Sequence, residues 1–213
     1  MRNNLSQMIS LSKVEEKLYR PVDAYELSRV TRMEHVKTTI VETPQEGIKA
    51  VATRIAQLIN RREANGQKTV LSLASGRSMR DLFVELVRLH KEEGLSFKNV
   101  VVFGSYEFYP LSDATSGSMA QIQSQLLNHI DILPENIHTF PGDLPKENVF
   151  AFCEEYEKAI VEAGGIDVQV LGIGQCGNIA MNEPGTQPNS STRLVIMDGN
   201  SRVDVKSLFG NIA

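Results

Sequence analysis

Short runs of apolar residues alternate along this chain with longer segments whose apolar residues recur at helical spacing. A strand with one face in water alternates apolar and polar residues, whereas a strand buried on both faces is apolar throughout. The short runs are of the second kind and lie at residues 69–74, 100–103, 168–173 and 193–197. Such strands, alternating with helices, predict a parallel sheet that is covered on both faces. The expected fold is a three-layer α/β/α sandwich with a mostly parallel, Rossmann-like sheet.

Four segments carry the helical pattern. The first has a defined start, because Thr43 is a preferred N-cap, Pro44 suits the first helical position and Glu46 completes a capping box. Its apolar residues recur at helical spacing as far as Asn65 and Gly66, a pair that is typical of a helix end. Three more helices are predicted at residues 79–93, 118–130 and 147–163.

Composition excludes several classes of protein. The 213 residues include 22 basic and 26 acidic side chains, so the net charge is −4 and a basic excess for nucleic-acid binding is absent. No apolar run approaches the roughly 18 residues of a membrane span. Two cysteines and an N-terminus without a signal-peptide pattern are typical of a cytoplasmic protein.

Residues 1–36 differ from the remainder of the chain because they show no sustained period. We expect an N-terminal extension there, either packed on the domain or on a neighbouring subunit, or disordered. One domain follows, at residues 37–213.

Ligands of open parallel sheets gather at the carboxyl ends of the strands. The first loop at that edge is Ser75-Gly76-Arg77-Ser78, whose small residues and position before a helix suit an anion such as phosphate. The alternative needs no ligand, because Ser78 can be an ordinary N-cap with Asp81 three residues further on.

The second loop contains two ionisable groups, Tyr106 and Glu107, directly after a buried strand. The alternative is a turn whose aromatic residues cover the edge of the sheet.

The third loop contains Gly172, Gly174 and Gly177, which match the G-x-G-x-x-G pattern of dinucleotide sites.

That pattern requires a helix after its third glycine, whose N-terminus holds the pyrophosphate. Residues 178–192 contain two prolines and lack a helical period, so a nicotinamide-dependent oxidoreductase is the least favoured function. A long irregular loop with Asn182 and Glu183 is more typical of a functional loop.

The cysteine and histidine residues do not indicate a further site. Cys176 has no neighbouring His that would activate its thiol as a nucleophile. None of the four histidines has a partner at metal-ligand spacing, so a metal site is not predicted.

Taken together, these loops resemble the glucosamine-6-phosphate deaminase/isomerase family. The family's phosphate loop L-x-L-A-T-G-x-T-P appears as LSLASGRSM at residues 71–79, and its D-E-Y appears as YEF at residues 106–108. Its G-G-I-D-L-x-L-L-G-I-G-x-x-G-H-I-G-F-N-E-P-G appears as GGIDVQVLGIGQCGNIAMNEPG at residues 164–185. The following S-x-T-R-L is SSTRL at residues 190–194. The Asn-Glu-Pro ending separates the chain from the related 6-phosphogluconolactonases.

The resemblance implies a hexosamine 6-phosphate as substrate, converted in the family to fructose 6-phosphate and ammonia without a metal or organic cofactor. Carried over by position, it implies that Ser75, Gly76, Arg77 and Ser78 surround the phosphate, with Arg193 as the cationic partner. The expected partner is thus a small molecule, and neither a nucleic acid nor a membrane.

The departures from the family pattern fall on its acid–base residues. The proton-shuttling Asp of the family is Tyr106 here, its ring-opening His is Asn178, and the Asp that supports this His is Cys176. Asparagine does not exchange a proton near pH 7, and tyrosine, with an ordinary pKa of about 10, is a poor base. Of the catalytic set Glu183 remains. Glu107 is a further candidate, although neighbours on an extended segment face opposite ways.

Two functions therefore stay open at this point: a deaminase with rearranged catalytic groups, or a binding or regulatory module that has lost the chemistry. The resembling family continues with another strand and a Lys-bearing segment, so we expect this domain to be the front part of a longer, two-domain polypeptide. A homo-oligomer is a further expectation, because trimers and hexamers occur in that family.

Overall fold

The computed structural model describes residues 23–25, 28, 38–111, 113 and 115–209. The chain divides into two units, at residues 1–40 and 41–213. In the first unit, residues 24, 25 and 28 are helical. Most of the predicted extension at residues 1–36 lies outside the described residues, and the boundary after residue 36 stays a prediction.

The second unit contains the alternating elements that the sequence predicts. In chain order its helices and strands are α1 (Pro44–Ala64), β1 (Thr69–Leu73), α2 (Arg77–Glu93), β2 (Val100–Gly104), α3 (Ser118–Gln125), β3 (Ile137–His138), α4 (Val149–Glu162), β4 (Val168–Val170) and α5 (Gly199–Phe209). Short 3₁₀ turns at Leu127–His129, Pro134–Asn136 and Lys146–Asn148 join some of them.

The four strands form one parallel sheet in the order β3-β2-β1-β4. Strand β1 is central, with Thr69 opposite Val100 of β2 and Leu71 opposite Val168 of β4. All residues of β1 and β2 are buried, as the absence of polar alternation in the sequence predicts. Their carboxyl ends place Ser75 and Tyr106 at the same edge of the sheet.

Alternate residues of the central strands enter two separate cores. Leu71 and Leu73 pack with the apolar faces of α1, α2 and α3. Val70 and Phe103 point to the opposite face, where they pack with Tyr156 of α4. Helices therefore cover both faces of the sheet, which confirms the predicted three-layer α/β/α sandwich.

Helix α1 begins and ends where the sequence predicts. The Thr43 hydroxyl accepts a hydrogen bond from the Glu46 N–H at 3.3 Å, and the Glu46 carboxylate accepts one from the Glu42 N–H at 3.1 Å. The helix ends at Ala64, and Gly66 follows at φ 68°, in the left-handed region that glycine adopts at little cost.

Several predictions about the elements are wrong or incomplete. The strand predicted at residues 168–173 ends at Val170. The predicted strand at residues 193–197 does not form: among the described residues this segment pairs with no strand, and Ile196 is 87% exposed. The helix predicted at residues 118–130 stops at Gln125 and continues as a 3₁₀ turn. Strand β3 and helix α5 were not predicted. The N-cap of α5 is Asp198. Its carboxylate accepts a hydrogen bond from the Asn200 N–H at 2.8 Å.

Among the described residues, no helix combines the length and the apolar character that crossing a membrane requires.

Candidate functional site

The loop between β1 and α2 leaves the start of a long helix uncapped. Helix α2 begins at Arg77, and its N-cap is Gly76, at φ 130°, without a capping side chain among the described residues. The N–H groups of Met79 and Arg80 donate to the Gly76 carbonyl oxygen, whereas those of Arg77 and Ser78 lie at the helix start, where intrahelical acceptors do not exist. The alternative in which Ser78 is the N-cap is wrong, because Ser78 is already inside the helix.

A cavity of about 250 Å³ lies at this uncapped helix start. It is lined by the loop residues that the sequence predicts to surround a phosphate, together with Tyr106, Asn178 and residues of the glycine loop. The helix start provides free N–H groups and the positive end of the helix dipole. The arrangement therefore suits a bound anion.

Tyr106 forms part of the wall of this cavity and is 9% exposed. Its hydroxyl oxygen lies 2.9 Å from Ser75 Oγ, and the hydroxyl donates to the Ser75 carbonyl oxygen at 3.2 Å. Burial raises the pKa of the Tyr106 phenol, and the hydrogen bonds from Ser75 and Ser118 offset this rise only in part. Tyr106 is thus a neutral, hydrogen-bonded phenol near pH 7.

The Glu107 side chain points to the start of helix α3. Its carboxylate accepts hydrogen bonds from the backbone N–H groups of Ser118 at 2.8 Å, Met119 at 2.9 Å and Phe108 at 2.9 Å. Gly117 permits this approach, since a Cβ there would lie 2.5 Å from Glu107 Oε1. Both carboxylate oxygens are engaged in capping α3, and the predicted catalytic role of Glu107 stays a prediction.

The glycine-rich loop folds back on itself and does not lead into a helix. The Gly177 N–H donates to the Gly174 carbonyl oxygen, and the Asn178 side chain lies so close to Gly174 that a Cβ there would clash with its amide. Residues 178–198 contain isolated bridges and turns. The structural requirement of a dinucleotide site is therefore not met.

A tight turn follows, at residues 179–182. Ile179 and Asn182 exchange two backbone hydrogen bonds, and the central residues Ala180 and Met181 have φ 47° and 61°. Two positive φ values define a type I′ turn, which normally contains glycine or asparagine. Non-glycine residues in this region store strain of about 1 kcal/mol or more each. The family motif quoted above has glycine at the position of Ala180.

Ala180→Gly is therefore expected to stabilise the domain by up to about 1 kcal/mol, because glycine removes the steric cost of φ 47° and its added unfolded-state entropy offsets only part of that gain. Urea unfolding followed by circular dichroism measures the difference. Ala159→Gly, within the regular helix α4, is the matched control and should destabilise. Equal losses in the free energy of unfolding for Ala180→Gly and Ala159→Gly would contradict the turn geometry.

The catalytic candidates are divided between two cavities. Asn178 lines the smaller one, whereas Glu183 and Arg193 line a larger cavity of about 770 Å³ beside α4. Tyr106 lines both cavities and thus forms part of the wall between them. Cys176 lines neither of the two.

Glu183 and Arg193 are engaged with the irregular loop itself. The Glu183 carboxylate accepts the Asp198 N–H at 3.1 Å. The Arg193 guanidinium donates to Asn182 Oδ1 at 3.1 Å and to Ser190 Oγ at 2.9 Å. The predicted role of Arg193 as a phosphate partner stays a prediction, and the cation that lines the smaller cavity is Arg77.

Arg77 also contacts helix α5. Its guanidinium lies 3.4 Å from the Asp204 carboxylate and 3.5 Å from Ser207 Oγ. Helix α5 is held by Val205 and Phe209, which pack beside Tyr106 and other apolar residues of the same cluster. Asp204 is a residue of this cavity that sequence reasoning missed, because the helix that contains it has little periodic signal.

The part of the chain that contains the three loops matches a known family. The sequence model described as glucosamine-6-phosphate isomerases/6-phosphogluconolactonase matches residues 42–204. This chain belongs to that family. Membership confirms the resemblance on which the expected phosphate loop was based.

Individual relatives are named glucosamine-6-phosphate deaminase or deaminase-like. A glucosamine-6-phosphate deaminase-like protein of Bacteroides thetaiotaomicron is 45% identical over 213 residues, which are 100% of this chain and 32% of that protein. Glucosamine-6-phosphate deaminase of Bacillus pumilus is 38% identical over 162 residues, 74% of this chain and 65% of that protein. The chain thus spans about a third of the first protein and just under two thirds of the second.

Solved structures of the family share the fold. A monomeric glucosamine-6-phosphate deaminase of the NagB superfamily superimposes with a TM-score of 0.76 at 28% identity, covering 83% of this chain and 73% of that one. The 6-phosphogluconolactonase of Thermotoga maritima, at 24% identity and a TM-score of 0.52, is similar in fold alone.

Proposed function

We propose that this domain binds an amino-sugar 6-phosphate with the phosphate at the start of α2, and that the deamination step is strongly impaired. The observation that supports the proposal most directly is the uncapped N-terminus of α2, which opens into a cavity beside Arg77. The names of the relatives support the substrate class, since both are called glucosamine-6-phosphate deaminase or deaminase-like.

The phosphate subsite needs hydrogen-bond donors and positive charge. The N–H groups of Arg77 and Ser78 and the dipole of a 17-residue helix provide both. The Arg77 side chain adds a full charge, and its contacts with Asp204 and Ser207 are long, at 3.4 and 3.5 Å, so a phosphate can compete for it.

The impairment rests on Tyr106 and Asn178. Tyr106 is buried and hydrogen-bonded as a neutral phenol, and its raised pKa keeps it from acting as a base near neutral pH. Asn178 lines the same cavity but has no titratable proton. Glu183 is the one matching acid–base residue of the family set, and it lines the other cavity.

The binding proposal is tested by calorimetric titration with glucosamine 6-phosphate, with unphosphorylated glucosamine as the ligand control. We expect binding of the phosphorylated sugar alone, and a loss of about tenfold in affinity in Arg77→Gln, because one charge-assisted contact is removed. Arg193→Gln is the matched variant for the other cavity. If Arg193→Gln weakens binding and Arg77→Gln does not, then Arg193 is the phosphate partner, as the family resemblance implies.

Absence of binding by the unaltered, folded protein would reject the proposal.

The predicted longer polypeptide and the predicted homo-oligomer remain predictions. Among the described strands, β4 pairs with β1 alone, and the exposed Leu171 and Ile173 follow it along the chain. An edge of this kind is consistent with a further strand in a longer polypeptide. The test is solvent labelling of Ile173 in such a polypeptide and in this domain. Equal labelling in both would count against a further strand at this edge.

A further inference from the structure

Ser118 connects the phosphate loop to helix α3. It is the first residue of α3 and is fully buried, at 0% exposure. Its backbone N–H donates to Glu107 Oε1 at 2.8 Å, and its hydroxyl oxygen accepts a hydrogen bond from Ser75 Oγ at 2.8 Å.

These contacts close a ring. Ser75 Oγ lies 2.9 Å from the Tyr106 hydroxyl, Tyr106 is followed in the chain by Glu107, and Glu107 binds the Ser118 N–H. Tyr106 and Glu107 point to opposite sides of an extended segment, so adjacent residues reach two different elements. The ring thereby ties together the loop after β1, the loop after β2 and the start of α3.

The ring holds Ser75, the first residue of the proposed phosphate loop, in place. Ser75 Oγ lies within hydrogen-bond distance of the hydroxyl oxygens of both Ser118 and Tyr106, so the Ser75 hydroxyl is engaged within the ring. Gly76 follows directly, at φ 130°, and the N–H groups of Arg77 and Ser78 come next. Among the described residues no side chain caps these amides, and the loop that leads into them is anchored at Ser75.

We propose that Ser118 is a positioning residue for the phosphate loop, which holds Ser75 so that the Arg77 and Ser78 N–H groups face the bound phosphate. The proposal rests on the proposed function, since it requires that a phosphate binds at this loop. Ser118 itself does not touch the ligand and acts through Ser75.

The test compares the dissociation constants of inorganic phosphate and glucosamine 6-phosphate by calorimetry. Ser118→Ala is expected to weaken both by about fivefold to tenfold, the value of one buried hydrogen bond. Ser124→Ala is the matched control on the same helix, because its hydroxyl donates to the Gln121 carbonyl oxygen and does not reach the loop. The control is expected to stay within about twofold.

A double-mutant cycle separates positioning from general destabilisation. In a Ser75→Ala background the ring is already broken, so adding Ser118→Ala is expected to leave the affinity unchanged. A general loss of stability would weaken binding in both backgrounds. If Ser118→Ala does not fold, Tyr106→Phe breaks the same ring with the aromatic packing retained, and is expected to weaken binding to a similar degree.

The outcomes distinguish the two proposals. Equal affinities of the unaltered protein, Ser118→Ala and Tyr106→Phe would overturn the positioning role and leave the proposed function intact. Absence of phosphate binding by the unaltered protein would overturn the proposed function and the positioning role with it.

Discussion

Ammonia release from glucosamine 6-phosphate by this domain is expected to be at least about 10⁴-fold slower than by a family member with Asp and His at the positions of Tyr106 and Asn178. Losing one positioned acid or base typically costs about 10²–10⁴ in rate, and two are replaced here. Tyr106 does not compensate, because burial raises its pKa and leaves the phenol neutral. Asn178 has no proton to exchange.

The measurement is an ammonia assay of both proteins at matched concentrations, between pH 6 and 9. The control is calorimetric binding of the same sugar phosphate, so that a slow rate in a protein that binds reports on chemistry alone. We also expect no rise in rate across this range from ionisation at position 106. A rate within tenfold of that of the active relative would show that other residues perform the proton transfers.

Glu107→Ala is expected to lower the free energy of unfolding by about 2–3 kcal/mol. The substitution removes the acceptor of three backbone N–H groups, two of which belong to the first residues of α3. A carboxylate at a helix N-terminus is also favoured by the helix dipole. The cost exceeds that of an ordinary surface substitution, because the groups left behind are partly buried and lose their partner.

Urea unfolding checks this value, with Glu155→Ala as the matched control. Glu155 is an exposed glutamate of α4, and its substitution is expected to change the stability by less than about 0.5 kcal/mol. Glu107→Gln keeps an acceptor oxygen and loses the charge, so an intermediate loss is expected. Equal stability of Glu107→Ala and Glu155→Ala would show that α3 does not depend on this cap.

The order of helices and strands could be predicted from the sequence because burial leaves a local pattern. The residues of β1 and β2 are apolar without alternation, and the start of α1 contains a complete capping box. The segment at residues 193–197 has the same apolar composition as these strands but does not form one. A strand requires a hydrogen-bonding neighbour, and composition does not show whether one is present.

The site was predicted in part. The small residues between β1 and α2 indicated a phosphate loop, and the structure places them at an uncapped helix start. The sequence left the partners of Tyr106 and Glu107 undetermined. Tyr106 contacts Ser75, 31 residues away, and Glu107 caps a helix that begins 11 residues later. Neither pair lies within one helix or strand, so the local period of an element does not predict these contacts.

The sequence by itself determined the parallel sheet, the covering helices and the chemical character of each loop, because these follow from residue type and local spacing. Only the tertiary structure decided that Tyr106 is a buried neutral phenol, that Glu107 holds a helix, and that Arg77 lines the smaller cavity while Arg193 lines the larger one. The physical reason is that burial, hydrogen bonding and the pKa of a side chain depend on groups that the fold brings together from distant positions in the chain.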